Sequence, residues 1–111
     1  MFRITVQYGQ PTDPAAFDEY YQSTHIPLTL KVPGLVRFTT GRPRPLGRDV
    51  PAPPYLVADL WFETAESLKV ALKSDEMRSA SADVANFATG GATLHSQEEV
   101  LVRGHQDVDR N

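Results

Sequence analysis

The eight residues from Tyr55 to Phe62, YLVADLWF, restrict the possible folds more than any other part of the chain. They read as a strand, and successive side chains of a strand point to opposite faces. One parity supplies Leu56, Ala58, Leu60 and Phe62, and the other supplies Val57, Asp59 and Trp61. Large apolar groups therefore occur on both sides, so the sheet that holds this strand needs cover on both faces. Asp59 is the only charge in the run. A carboxylate on a covered face is expected to take an interface hydrogen bond or salt bridge, or to meet a ligand.

The rest of the chain supplies cover for one face only. Phe2, Ile4, Val6 and Tyr8 alternate with Arg3, Thr5 and Gln7, the period of a strand, which stops at Gly9. Asp13 is a helix N-cap with Pro14 at the first position, and the apolar spacing carries that helix to about Thr24. Gly34 opens a second strand over 35–40. The segment GRPRPLGRDVPAPP then places five prolines and two glycines in a row that no ladder tolerates, and so reads as an exposed loop. After the YLVADLWF strand, Thr64 and Ser74 cap what reads as one broken helix lasting to about Phe87. Gly90 and Gly91 end it, and Thr93 to Val102 returns to strand.

The order is β-α-β-β-α-β, an α+β ferredoxin-like arrangement in which a four-stranded antiparallel sheet carries both helices on one face. The bare face, with Val57, Asp59 and Trp61, is expected to be buried in an isologous homodimer, closing an α+β barrel. With 111 residues there is material for one core. Residues 1–103 are read as the domain and 104–111 as a flexible polar tail.

Charge and composition remove several classes of function. A formal charge of −3 provides no basic footprint for nucleic acid or an anionic membrane surface. Cysteine is absent, which rules out disulfides and thiolate chemistry. No His/Asp/Glu group has metal-ligand spacing, no glycine-rich turn leads from a strand into a helix, and no GxSxG elbow is present. No metal or other cofactor is expected. The alternating N-terminus is not a leader peptide, and no run approaches the ~20 apolar residues of a membrane span. A cytoplasmic protein is expected.

What chemistry the chain carries is concentrated in DPAAFDEYYQSTHIPL, Asp13 to Leu28. Phe17, Tyr21 and His25 are spaced four apart and share one helical stripe. Pro27 disfavours helical geometry at Ile26, so regular helix is expected to fail near His25, where the negative end of the helix dipole favours a protonated ring. A histidine there, beside a tyrosine hydroxyl and facing the apolar side of a sheet, can give or take a proton away from bulk water. The plainer alternative is a packed histidine whose ring N–H meets a backbone carbonyl. Tyr20 and Tyr21 point about 100° apart, and spacing from His25 selects Tyr21. The expected site is thus His25 and Tyr21 as catalytic residues, with Tyr8, Phe17, Trp61 and Asp59 contacting the ligand.

The segments ITVQYGQPTDPAAFDEYYQSTHIPLTLKVPGLVRF, YLVADLWFETAESLKVALKS and ANFATGGATL together resemble the EthD family of small dimeric α+β barrel proteins. The likeness runs from about Phe2 to Val102, and its most specific element is YY followed by THIPL and PGL, with His25 at the family's characteristic histidine. The proline-rich loop from Gly41 to Pro54 is individual to this chain. The resemblance implies a sheet-to-sheet homodimer with a cavity between sheet and helices in each subunit. It also implies a small apolar or aromatic ligand, with cofactor-independent acid–base or oxidoreductase-type chemistry. The alternative it carries is a non-catalytic ligand-binding accessory protein of an oxygenase system used in ether degradation. Haem, with His25 as axial candidate, is a third reading that nothing in the residues favours.

Overall fold

The computed structural model describes residues 1–104, so the expected tail lies, after Gly104, outside the described residues. In chain order the elements are β1 (Phe2–Tyr8), α1 (Pro14–Tyr20), a π-helical turn (Tyr21–His25), α2 (Ile26–Thr29), β2 (Arg37–Gly41), β3 (Leu56–Phe62), α3 (Ala65–Leu72), α4 (Asp75–Asp83), a 3-10 turn (Val84–Asn86) and β4 (Ala92–Glu98). The sheet order is β2-β3-β1-β4 and every neighbouring pair is antiparallel. This is the ferredoxin-like α+β arrangement.

Period two decides the two faces. Ile4, Val6 and Tyr8 are buried together with Leu56, Ala58, Leu60 and Phe62, all on the side the helices cover. The helices start where capping chemistry permits. The Asp13 carboxylate accepts from the Ala16 N–H, the Thr64 hydroxyl from the Ser67 N–H and the Ser74 hydroxyl from the Met77 N–H. Ser74 also donates to the Ala71 carbonyl at 2.6 Å, ending α3 as it begins α4, so the expected break in the second helix falls there. β4 stops at Glu98, four residues before the expected end, and the Glu99 N–H bonds the Met1 carbonyl at 2.8 Å.

The helix does not stop at His25. It changes geometry instead: the Ile26 N–H reaches back five residues to the Tyr21 carbonyl, and Ile26 keeps helical angles of φ −56° and ψ −48°. Pro27 has no N–H to give, and it sits in the first turn of α2, where none is needed. Burial of Tyr21, His25 and Thr29 against the sheet overrides the local preference of a residue before proline. Since the backbone runs on to Thr29, His25 does not lie at a helix terminus and the dipole expectation does not apply.

Among the described residues no helix covers the opposite face, which is polar at its centre. The Thr5 hydroxyl donates to Asp59 at 2.5 Å, and Arg3 lies 3.7 Å from Asp59 and 3.4 Å from Glu99. The Trp61 indole donates to Glu99 at 2.7 Å and is flanked by the guanidinium groups of Arg3 and Arg37. At the far end of β1 the backbone crosses the turn before β4 so closely that a Cβ on Gly90 would lie 2.3 Å from the Gln10 carbonyl oxygen. Only glycine fits there.

Candidate functional site

A cavity of about 340 Å³ lies between the covered sheet face and the helices, within the range typical of small-molecule sites. Most of its wall is aliphatic, from Val6, Leu60, Met77 and Val84 among others. Among the described residues, five in the lining carry a side-chain N–H or O–H group: Tyr8, Tyr21, His25, Thr29 and Ser81. Among the described residues no lysine, arginine or carboxylate lines it.

The polar end is built around His25. Its Nδ1 lies 2.9 Å from Asp83 Oδ2, and both side chains are over nine-tenths buried. The other Asp83 oxygen accepts from the Tyr20 hydroxyl at 2.5 Å and from Asn86 at 3.0 Å. Burial raises the Asp83 ionisation, but the hydrogen bonds from Tyr20, Asn86 and His25 outweigh it and hold the carboxyl below its usual value. An ionised carboxylate on Nδ1 keeps the proton of the neutral ring on that nitrogen and leaves Nε2 as the one available to the cavity. The Thr29 hydroxyl is already spent on the His25 backbone carbonyl at 3.1 Å.

Tyr8 and Tyr21 stand beside the imidazole. Their ring centroids are 5.6 Å apart, and Tyr21 is 5.4 Å from His25. Burial pushes the Tyr21 phenol up to about 12, partly offset by the neighbouring Tyr8 hydroxyl and by the charge of Arg42. Tyr8 is driven further in the same direction, chiefly by burial and then by Tyr21. Both stay protonated at neutral pH, as hydrogen-bond donors rather than bases.

Of the residues expected from the sequence, His25, Tyr21 and Tyr8 meet at one cavity wall. Phe17 does not reach it: 2% exposed, it packs among Tyr8, Tyr21, Tyr55 and Phe87 and supports the wall from behind. Trp61 and Asp59 are a correction. The same period that buries Leu60 sends them to the opposite face, where Arg3, Thr5 and Glu99 hold them, away from the cavity. Asp83, Tyr20 and Asn86 join the site without a sequence motif to announce them. Asp83 falls three residues after Ala80 and four before Phe87, an acid on the apolar stripe of its helix, and that placement is the one signal the chain offers. Among the described residues no group of three or more His, Asp or Glu is placed to hold a metal ion.

The pattern of the EthD domain matches residues 9–91 of the chain. The chain belongs to the EthD family. An uncharacterised 11.0 kDa protein from the thcB–thcC intergenic region of Rhodococcus erythropolis is 43% identical over 102 residues, covering 92% of this chain and 98% of its own length. An EthD family protein of Bacillus halodurans superposes with a TM-score of 0.79 at 36% identity, over 90% of this chain and 99% of its own. A cofactor-independent oxygenase of Streptomyces nogalater shares the fold at 19% identity and TM-score 0.58, over 92% and 97% of the two chains. A dimeric ferredoxin-like protein of unknown function from Thermobifida fusca does so at 12% and 0.65, over 88% and 90%. Among the described residues no helix is long and apolar enough to cross a membrane.

Proposed function

We propose that this EthD-family protein binds a small, largely apolar or aromatic molecule in the cavity between sheet and helices and performs cofactor-independent acid–base chemistry on it. His25 is the general acid–base and Tyr21 orients the ligand. Tyr8 supports Tyr21, and Asp83 positions the imidazole. The observation that carries this reading is the His25–Asp83 pair at 2.9 Å, buried where the imidazole meets a largely apolar chamber. A homodimer formed through the bare sheet face completes the proposal. Its support is Trp61 and Val57 on an otherwise uncovered surface, together with the dimeric description of a neighbour that shares the fold.

The test is native mass spectrometry of the protein purified from its own host, followed by assay of any retained compound. A neutral ligand of roughly 10–15 heavy atoms, turned over by the wild type and not by His25→Ala, is the expected result. Turnover unchanged in the folded variant rejects His25 as acid–base. A second reading, a ligand-binding accessory protein without chemistry of its own, is favoured by the relative encoded between two other genes. Binding that survives His25→Ala, with no product from either protein, would select it.

A further inference from the structure

If the cavity binds a ligand, as the proposed function requires, the hydrogen-bond donors and acceptors at its polar end restrict that ligand further than its size does. Asp83 holds Nδ1 of His25, so in the neutral ring Nε2 presents a lone pair. Tyr21 stands beside the imidazole on the same wall, and its phenol, kept protonated by burial, has an O–H to donate. The two neighbouring rings, with centroids 5.4 Å apart on one wall, thus offer one acceptor and one donor. A hydroxyl group answers both at once, because it donates its proton and accepts on its oxygen. A carbonyl or ether leaves Nε2 unpaired in an apolar chamber, which is costly. A carboxylate meets the same unpaired lone pair and finds no cation on the wall among the described residues, with the Asp83 charge directly behind the imidazole.

The geometry points to an uncharged, hydroxyl-bearing aromatic molecule, a phenol, as the ligand class of this cavity, its O–H held between His25 Nε2 and the Tyr21 hydroxyl. The aliphatic remainder of the wall takes the ring and an alkyl substituent. In this pose the O–H proton can pass to Nε2, giving an imidazolium paired with Asp83 and a phenolate oxygen that accepts from Tyr21. One O–H bond breaks, one N–H bond forms, and no electrons leave the pair of molecules.

Three probes of nearly one shape test this: 4-propylphenol, 4-propylanisole and 4-propylbenzoate, titrated by calorimetry at neutral pH into the full-length protein. Tryptophan fluorescence is a poor reporter because Trp61 lies on the opposite sheet face. The phenol is expected to bind at least tenfold tighter than the anisole, with the benzoate weakest. His25→Gln, checked for native circular dichroism, should reduce the phenol-to-anisole ratio below about threefold, whereas Tyr21→Phe, checked in the same way, should weaken phenol and anisole alike, because both oxygens accept from the Tyr21 hydroxyl. Equal binding of phenol and anisole to the wild type, or tightest binding of benzoate, overturns the phenol assignment and leaves the apolar cavity reading standing. A phenol affinity unchanged in folded Tyr21→Phe overturns the assignment of the donor, and a ratio unchanged in folded His25→Gln overturns that of the acceptor. Binding of none of the three overturns both this inference and the cavity reading beneath it.

Discussion

Asp83→Asn isolates the charge that organises the site while keeping its shape. Asp83 accepts three hydrogen bonds, from His25, Tyr20 and Asn86, at 2.9, 2.5 and 3.0 Å. Bonds to a buried charge contribute about 1.5–3 kcal/mol each, roughly twice a neutral bond, so removing the charge takes about 0.8–1 kcal/mol from each of the three. An asparagine also sets its NH2 against one of these donors, which opposes recovery through a flip. A loss of about 2–3 kcal/mol is expected, and at about 4 °C per kcal/mol for a domain of this size the Tm should fall by about 8–12 °C. Urea and thermal unfolding followed by circular dichroism, with both proteins at one concentration, measure it.

The pH dependence supplies a second check. The folded-state ionisation of Asp83 lies below its ordinary value of 3.8. Its stabilisation is therefore complete above that value and is lost as pH falls through the lower, folded-state one. The difference between wild type and variant should therefore close in strong acid. A Tm within 2 °C of wild type at neutral pH, with an unaltered Nδ1–H signal for His25 in nitrogen-15 NMR, would refute the claim that Asp83 fixes the imidazole.

Other substitutions probe separate links. Tyr20→Phe deletes one donor to Asp83 without touching the cavity wall, so a stability loss of about 1–2 kcal/mol in urea titration should accompany unchanged affinity for an apolar probe. Gly90→Ala drives a methyl group to 2.3 Å from a backbone carbonyl oxygen, and about 3 kcal/mol of destabilisation is expected in the same titration; a neutral result would contradict the close crossing at the end of β1. Thr64→Ala removes a reciprocal cap from α3 and should cost about 1 kcal/mol. Tyr8 and Tyr21 have raised ionisation, so the unfolded chain releases their protons first. Stability should then decline as pH rises above about 10, and absorbance titration at the phenolate band should find these two tyrosines still protonated at pH 11 in the folded protein.

Local chemistry decided a large part of this molecule. Alternation in Phe2–Tyr8 and Leu56–Phe62 assigned every side chain of the two central strands to a face, because a strand's period leaves no choice. Caps at Asp13, Thr64 and Ser74 placed the helix starts, and four-residue spacing put Tyr21 and His25 on one stripe. That alternation also placed Asp59 and Trp61 opposite the cavity, although their chemistry suggested a ligand contact. What spacing cannot reach is the meeting of distant segments. His25 and Asp83 are 58 residues apart, and only the packing of the first helical segment beside α4 brings the carboxylate to the imidazole. The path of the chain through Pro27 was likewise settled by burial, since the local preference at Ile26 is weaker than the packing of the turns on either side of it. The paired tyrosines join the two levels: their adjacency is written in the chain, but that one faces the chamber and the other clamps Asp83 is decided only by where the folded helices lie.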